Sequence, residues 1–481
     1  APGNDTEKQL VEIWAEVLRL APEKIGVNDS FFKLGGHSLL AVRLIERMRQ
    51  HGLYANLRTL FTAPTLAKLA VAIKCGQNSD ILAAEAIPDL EHEATLDPAI
   101  VLRTEGTPGD MTNALLTGAS GFLGAFLLSE LLVQTRANIY CLVRAASTEA
   151  GYRKIEKCMK SFALWDPAVS DRIVPVVGDL ARPSLGLTQH TFEELARTID
   201  VIYHSGAIVN FYYPYSFHKA ANVLSTKELL RLASVGRSKS LHFVSTLSVV
   251  LAQGQQGLRP IITEHDALPG APNLSDGYVQ SKWVAEQIVA IAASRGIPVV
   301  TYRPGTIMGH SKTGMANLED FVPSFIRGCM QSGCVPEGEV HDELHLMPVD
   351  YLSRSIVAIS KRKELFGRVF NLTTRRGTTG RELLDCLLKF DPTLQRVSYV
   401  KWRSKVAGDP GNPLARHIAS FPEQLPTDEG RLLRPQFDSE ETLRIAEAAG
   451  IDRPQITQRL LEAYFSYIAE HTASRAGVAA D

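Results

Sequence analysis

Cysteine is scarce and unpatterned. The six are Cys75, Cys141, Cys158, Cys329, Cys334 and Cys386, and none forms a CxxC pair or stands beside a histidine cluster. That argues against a disulfide framework or a zinc site, leaves Cys141, inside an apolar run, as a small core residue, and favours a reducing cytoplasm. No run of about 18 apolar residues exists, so no membrane-spanning helix is expected. Neither sign of charge prevails: 51 basic and 52 acidic side chains leave a net charge of -1, and no global field draws nucleic acid or an anionic membrane. The opening residues, APGNDTEKQL, lack the basic-then-apolar pattern of a secretion signal and lack an initiator Met, which suggests a piece of a longer polypeptide. A nucleophile elbow, G-x-S-x-G, is also missing, which argues against a hydrolytic thioesterase. There are no internal repeats.

What is present is an ordinary globular composition, 45% hydrophobic and 21% charged over 481 residues, enough for two to four domains at roughly 100–200 residues each. Residues 5–74 read as helix. Leu10, Ile13, Trp14, Val17 and Leu18 recur at helical spacing. A second helix, from about Leu39 to Gln50, carries Leu40, Leu44 and Met48 on one face. A third, from Thr65 to Lys74 after Pro64, turns Leu66, Leu69, Ala70 and Ile73 inward. A small all-α four-helix bundle over residues 1–75 accounts for this length and pattern. Residues 76–110 lose periodicity and read as a linker with some surface packing.

From Asn113 the pattern becomes strand–helix alternation. Apolar runs rich in β-branched residues occur at NALLTG, ANIYCLVRA, RIVPVVGDL, DVIYHSGA, SLHFVSTLSVV and IPVVTYRPG, with helical stretches such as FLGAFLLSELLVQ between them. Alternation of this kind predicts an α/β, Rossmann-like, doubly wound parallel sheet. Residues 111–481 form one unit in this reading: a sheet core over about 111–375 and a mostly helical C-terminal substrate part over about 376–481.

Three groups of residues carry chemistry. In FFKLGGHSLLAVRL, Gly35 and Gly36 release the backbone just before a helix, leaving Ser38 at a helix N-terminus with its hydroxyl exposed; an N-cap serine is the plain structural reading. In NALLTGASGFLGAFLLSELL, Gly118, Gly121 and Gly124 lie between a strand and an apolar helix. Glycine there permits a tight turn and close backbone approach, and the helix N-terminus faces a pyrophosphate. Ser120, Phe122 and Leu123 complete the turn. Arg144 occupies the place where an NAD-preferring site puts an acid, and a cation there suits a 2'-phosphate, so NADPH is the expected cofactor. Arg153 could assist from the following helix. Asp179, followed by Leu180, ends the third strand and could accept from the adenine amino group. Tyr278 and Lys282, four apart in GYVQSKWVAEQ, share a helix face. A phenol can serve as a proton donor to a carbonyl oxygen receiving hydride, and the Lys282 ammonium beside it is expected to lower the Tyr278 pKa. Tyr215 and Lys219 repeat the spacing but fall too early along the chain. The VST that ends the fifth strand run supplies Ser245 and Thr246.

The stretch Phe31, Phe32, Leu34, Gly35, Gly36, His37, Ser38, Leu39 resembles the peptidyl carrier proteins of nonribosomal peptide synthetases. That implies a 4'-phosphopantetheine esterified to Ser38 by a phosphopantetheinyl transferase, with an acyl or peptidyl thioester on its thiol and synthetase modules upstream. TGASGFLG, CLVRA, VVGDL, NFYYPY, VSTLSV, GYVQSKWVAE, YRPG and MPVDY occur in the order seen in thioester reductase domains, which belong to the extended short-chain dehydrogenases and resemble this chain over about residues 110–380. Position by position, this resemblance makes Thr246, Tyr278 and Lys282 the catalytic residues, with Ser245 the lesser hydroxyl partner. It also puts Ser205, Gly206, Ala207, Pro304 and Gly305 along the cofactor, with Ser205 where relatives usually have Asn. The implied activity is NADPH-dependent reductive release of a carrier-bound thioester as an aldehyde, or on to the alcohol. The alternatives are a fragment of an aminoadipate-type or carboxylic acid reductase, or a non-redox release domain of the same fold. Presence of Tyr278 argues against the last.

Overall fold

In the computed structural model, the described residues are 2–36, 40, 41, 44, 45, 47, 48, 51–53, 55, 59, 60, 63–76, 89–102, 111–255, 261–268, 270, 271, 274, 276–338, 343–409, 411–425 and 436–478. His37 and Ser38 lie outside them, so the attachment serine has no structural account. Near the N-terminus, helix α1 (Asp5–Leu18) is capped by the Asn4 side chain on the Glu7 amide and packs on α2 (Leu66–Gly76). Leu10, Ile13, Trp14, Phe31, Leu44, Met48, Leu66 and Leu69 form their shared core. This is the expected helical carrier region.

Seven parallel strands build the main sheet: β1 (Asn113–Thr117), β2 (Asn138–Val143), β3 (Ile173–Val177), β4 (Val201–His204), β5 (Ser240–Val244), β6 (Val299–Pro304) and β7 (Val369–Leu372), in spatial order β7-β6-β5-β4-β1-β2-β3. The first six are the runs read from the sequence. β7 escaped that reading because VFNL is only four residues long and ends in a polar turn. Alternate side chains of the strands serve opposite cores. Leu115, Ile202, Leu241 and Phe243 face α5 (Gln189–Thr198), α6 (Ser225–Ser234) and α7 (Gly277–Ser294). Ala114, Leu116, Cys141, Tyr203 and Tyr302 face α3 (Phe122–Gln134), α4 (Thr148–Ser161) and α9 (Val349–Ser360). Helices on both faces explain why the strands are apolar throughout rather than alternating.

Two features differ from the expected layout. Within the stretch read as a linker, residues 89–102 are bound to the sheet unit. Leu90, Leu96 and Ile100 are buried in its core, the Arg295 guanidinium donates to the carbonyls of Leu96 and Asp97, and Glu93 pairs with Lys219 at 2.7 Å. Further on, the C-terminal core recruits α8 (Phe321–Ser332), whose Val322, Phe325 and Ile326 pack with Leu383, Leu387, Trp402, Tyr464 and Phe465. The helical part therefore draws on chain well before residue 376. No helix among the described residues is long and apolar enough to cross a membrane.

Candidate active site

β1 to β3 run outward in one direction and β4 to β7 in the other, so the strand order reverses between β1 and β4. The carboxyl ends of the strands open there into a crevice, the usual ligand position in such sheets. A cavity of about 950 Å³ occupies it. Each strand end contributes in turn: Gly118 after β1, Arg144 after β2, Asp179 and Leu180 after β3, Ser205, Gly206 and Ala207 after β4, Ser245 and Thr246 after β5, and Pro304 and Gly305 at the end of β6. Ser120, Gly121, Phe122, Leu123, Gly124, Tyr278 and Lys282 also line it.

Arg153 does not. It borders a separate hollow with Thr148, Glu149, Tyr152 and Pro175. One step along α4 rotates a side chain by about 100°, and it is Lys154 that reaches the cleft, donating to the Arg144 carbonyl at 3.2 Å. Lys154 was missed because a KIEK-type helix surface marks no single lysine.

The glycine turn is as tight as its composition requires. Gly118 has φ +82°, and its carbonyl accepts from the Gly121 amide at 2.8 Å. A Cβ on Gly118 would stand 2.8 Å from the Gly206 nitrogen, and one on Gly124 would stand 1.9 Å from the Gly118 oxygen. α3 begins at Phe122, with Gly121 as an N-cap that offers no side-chain acceptor, so the amides of its first turn are left for a ligand. Arg144 is exposed and has no ion-pair partner among the described residues. Unsatisfied amides, a backbone approachable at glycine, and a lone cation at the end of β2 fit a phosphorylated dinucleotide.

A chain of hydrogen bonds ties this turn to α7. The Gly206 amide donates to Thr117 Oγ1 at 3.0 Å; because Thr226 gives its hydroxyl proton to the Asn222 carbonyl and so accepts from His204 Nε2, Nδ1 is the accepting nitrogen and takes the Thr117 hydroxyl at 2.8 Å. Burial pushes the His204 pKa down to about 3, so the ring is neutral and its proton sits on Nε2, facing Thr226 Oγ1 at 3.1 Å. Thr226 donates to the Asn222 carbonyl at 2.8 Å. The Asn222 carboxamide in turn accepts from the Ile208 amide and donates to the Ile208 carbonyl and to Ser281 on α7. Asn222 lies in a π-helical turn, Lys219–Leu224. Such turns recur at functional positions, but nothing in KAANVL breaks helical periodicity, which is why the sequence left Asn222 unremarked.

Tyr278 and Lys282 project from the first turns of α7, which Asp276 caps on the Val279 amide. Lys282 Nζ donates to the Val244 carbonyl at 2.6 Å and lies 4.1 Å above the Phe243 ring. Burial pushes its pKa down to about 7, against the pull of the Glu286 carboxylate. The Tyr278 phenol is held above its ordinary value by burial and then by the Asp276 carboxylate, while a hydrogen bond with Thr246 works the other way. The expectation that Lys282 lowers this phenol is not met: the ammonium is turned onto the Val244 carbonyl and burial dominates. Tyr278 is thus a protonated phenol at neutral pH, the form a proton donor needs. Ser245 turns aside, donating to Glu286, which also receives Arg303 Nε at 2.8 Å. The buried Glu286–Arg303 pair braces α7 on β6 one helical turn beyond Lys282. Tyr215 and Lys219 both bind Glu93, at 3.2 and 2.7 Å, and do not line the cleft.

The family model described as "Male sterility protein", an NAD-binding domain, matches residues 116–356, and the one described as "Phosphopantetheine attachment site" matches residues 8–73. A linear gramicidin synthase protein from Brevibacillus parabrevis is 39% identical over 98% of this chain, which corresponds to 9% of that protein. The chain spans less than half the length of the curated relatives it matches. Among solved structures, the terminal R domain from the myxalamid PKS-NRPS biosynthetic pathway is 40% identical, with TM-score 0.73 over 79% of this chain and 97% of that one. A thiolation-reductase di-domain from an archaeal nonribosomal peptide synthetase shares the fold over 98% of this chain and 99% of that one, with TM-score 0.74 at 23% identity.

Proposed function

The chain belongs to the family of terminal reductase domains of nonribosomal peptide synthetases, here preceded by a phosphopantetheine carrier, and from that premise we propose that it releases a carrier-bound acyl or peptidyl thioester by reduction to the aldehyde. When bound, NADPH supplies hydride, and the 4'-phosphopantetheine on Ser38 presents the acyl group as a thioester. The chain's own residues do the rest. The turn of Gly118, Gly121 and Gly124, with the amides opening α3, holds the pyrophosphate, and Arg144, assisted by Lys154, holds the 2'-phosphate. Thr246 and Tyr278 hydrogen-bond the thioester oxygen, and Tyr278 delivers its proton as negative charge develops there; the C–S bond then breaks, the carbonyl re-forms as the aldehyde, and the sulfur leaves as the carrier thiol with the hydroxyl proton. Lys282, freed from the Val244 carbonyl, binds the nicotinamide ribose and offsets the charge left on Tyr278. The product aldehyde can re-enter the same site, once oxidised cofactor has been exchanged for a second NADPH, for reduction to the alcohol.

The observation that carries this reading is the convergence of the glycine turn, Arg144 and the Thr246–Tyr278–Lys282 group on one cavity. The proposed division is carrier, residues 1–75; connection, 76–110; and reductase, 111–481, with the packed stretch 89–102 moving with the reductase. The proposed partners are upstream synthetase modules and a phosphopantetheinyl transferase. The five cysteines described, all unpaired, agree with a cytoplasmic setting. The test loads Ser38 with an acyl-phosphopantetheine and follows NADPH oxidation and product together. Ser38→Ala should abolish loading yet leave reduction of a free acyl-pantetheine thioester intact. Product release without NADPH oxidation would favour the non-redox alternative.

A further inference from the structure

A row of aromatic rings crosses from the carrier region to the mouth of the cleft. Trp14 and Phe31 meet edge to face at 5.3 Å in the carrier core, and Phe31 and Phe32 do so at 5.4 Å. Phe32 then meets Tyr213 of the reductase edge to face, with ring centroids 6.4 Å apart and planes at 86°. Tyr213 lies 4.2 Å from Phe217 and 6.5 Å from His218, and His218 lies 6.1 Å from Tyr278.

Both ends of the crossing are rigid. On the carrier side, a Cβ on Gly36 would come within 2.4 Å of the Phe31 ring, so the FFKLGG segment is wrapped tightly on Phe31, and Phe32 is aimed by that packing. On the reductase side, the Asn210 carboxamide accepts from the amides of Tyr212 and Tyr213. A Cβ on Gly277, the first residue of α7, would meet the Tyr213 carbonyl at 2.4 Å. The Tyr213 backbone is therefore seated on the start of the helix that carries Tyr278. Phe217 beside it remains 49% exposed, an apolar shelf with room for more than one ring.

We propose that Tyr213 and Phe217 form the landing shelf for the carrier of this same chain, with Phe32 as its contact residue. The shelf fixes the carrier at the substrate end of the cleft, on the side of the loop that holds Ile208 and Asn210. Phe32 precedes the attachment serine by only six positions, so the residue that docks and the residue that bears the acyl arm belong to one segment. His218, whose ring nitrogens lie 3.2 and 2.9 Å from the carbonyls of Ile208 and Asn210, lies between shelf and catalytic phenol, so a seated carrier also braces that loop.

The inference rests on the reductase reading, and its test separates the two. In the full chain, Phe32→Ala and Tyr213→Ala should each slow single-turnover reduction of the Ser38-bound thioester by about two- to tenfold, the range for an edge-to-face ring pair. The double variant should be little slower than either single one. Reduction of a free acyl-pantetheine thioester should be unchanged in both, and mass analysis of pantetheine loading checks that Phe32→Ala still folds. Independently of activity, ¹⁵N relaxation should show carrier amides tumbling with the whole chain in the parent protein and faster in either variant. Equal rates on the carrier-bound thioester, additive losses, matched losses on the free thioester, or carrier amides that already tumble independently in the parent would each overturn the proposal. A parent protein that fails on the free thioester, yet whose carrier tumbling responds to both substitutions, would instead overturn the reductase reading and leave the shelf standing.

Discussion

Through a single methyl group, Gly124→Ala perturbs the glycine turn proposed to cradle the dinucleotide. The new Cβ would stand 1.9 Å from the Gly118 oxygen, 2.5 Å from its carbon and 3.0 Å from the Ala119 nitrogen. All three neighbours are backbone, so no side chain can rotate away. Relief to ordinary contact near 3.4 Å requires about 1.5 Å of movement, and Gly118 has no slack to give, because it is itself pressed on Gly206. Either α3 backs out of its packing between the sheet and α9, or the turn opens and its amides lose their aim. Overpacking of this kind costs roughly 1–3 kcal/mol. Expressed in binding, that is about a 5- to 150-fold rise in the dissociation constant for NADPH. Gly367→Ala is the control: its φ is +84° and nothing lies within 4 Å of the added carbon, so it lowers Tm slightly and leaves binding alone. Titration of NADPH by calorimetry, with loading of Ser38 as a check on the carrier, reads both. An unchanged dissociation constant for Gly124→Ala would show that the turn does not hold the cofactor.

Arg144→Ala should weaken NADPH by about tenfold or more, as expected for loss of a charge-assisted contact, while NADH binding stays nearly level; equal losses refute the 2'-phosphate role. Glu286→Gln leaves the Arg303 guanidinium buried without its counter-charge and should cost about 3–5 kcal/mol, whereas Glu286→Gln with Arg303→Met should recover most of it; denaturant unfolding of the three proteins decides. Burial raises the Glu264 pKa from 4.5 to about 7, opposed by hydrogen bonds from Thr442 and the Asn371 amide. A carboxyl raised on folding favours the folded state below its unfolded pKa and loses that contribution as pH climbs through the folded one. Stability should therefore fall between about pH 4.5 and pH 7 by up to about 3 kcal/mol, and Glu264→Gln should flatten that slope; an identical slope contradicts the assignment.

Six of the seven main-sheet strands were legible because each is a β-branched apolar run bounded by a turn. The cleft was legible because its residues follow those runs directly: Gly118, Arg144, Asp179, Ser205 and Thr246 each stand just beyond a strand end. What was not legible depends on rotation about a helix or on contacts distant in sequence. Arg153 and Lys154 are adjacent cations on one amphipathic helix, and only the docking angle of α4 decides which reaches the cleft. Asn222 sits in a π-helical turn that its sequence does not announce. Glu286, Arg303 and His204 are polar groups inside apolar runs, and their partners lie 17 or more positions away. The 89–102 stretch reads as loose because its three buried residues, Leu90, Leu96 and Ile100, follow no helical or strand period.

The central claim is that one protonated phenol, Tyr278, serves oxygen as hydride arrives at the thioester carbon. The most direct measurement is a single turnover of the Ser38-loaded chain, with nicotinamide absorbance and released product followed in the same reaction, for the parent protein and Tyr278→Phe. The account requires aldehyde and oxidised cofactor to appear in step in the parent, and neither to appear in Tyr278→Phe even though NADPH binds it with undiminished affinity. Full-rate aldehyde formation by Tyr278→Phe would contradict it.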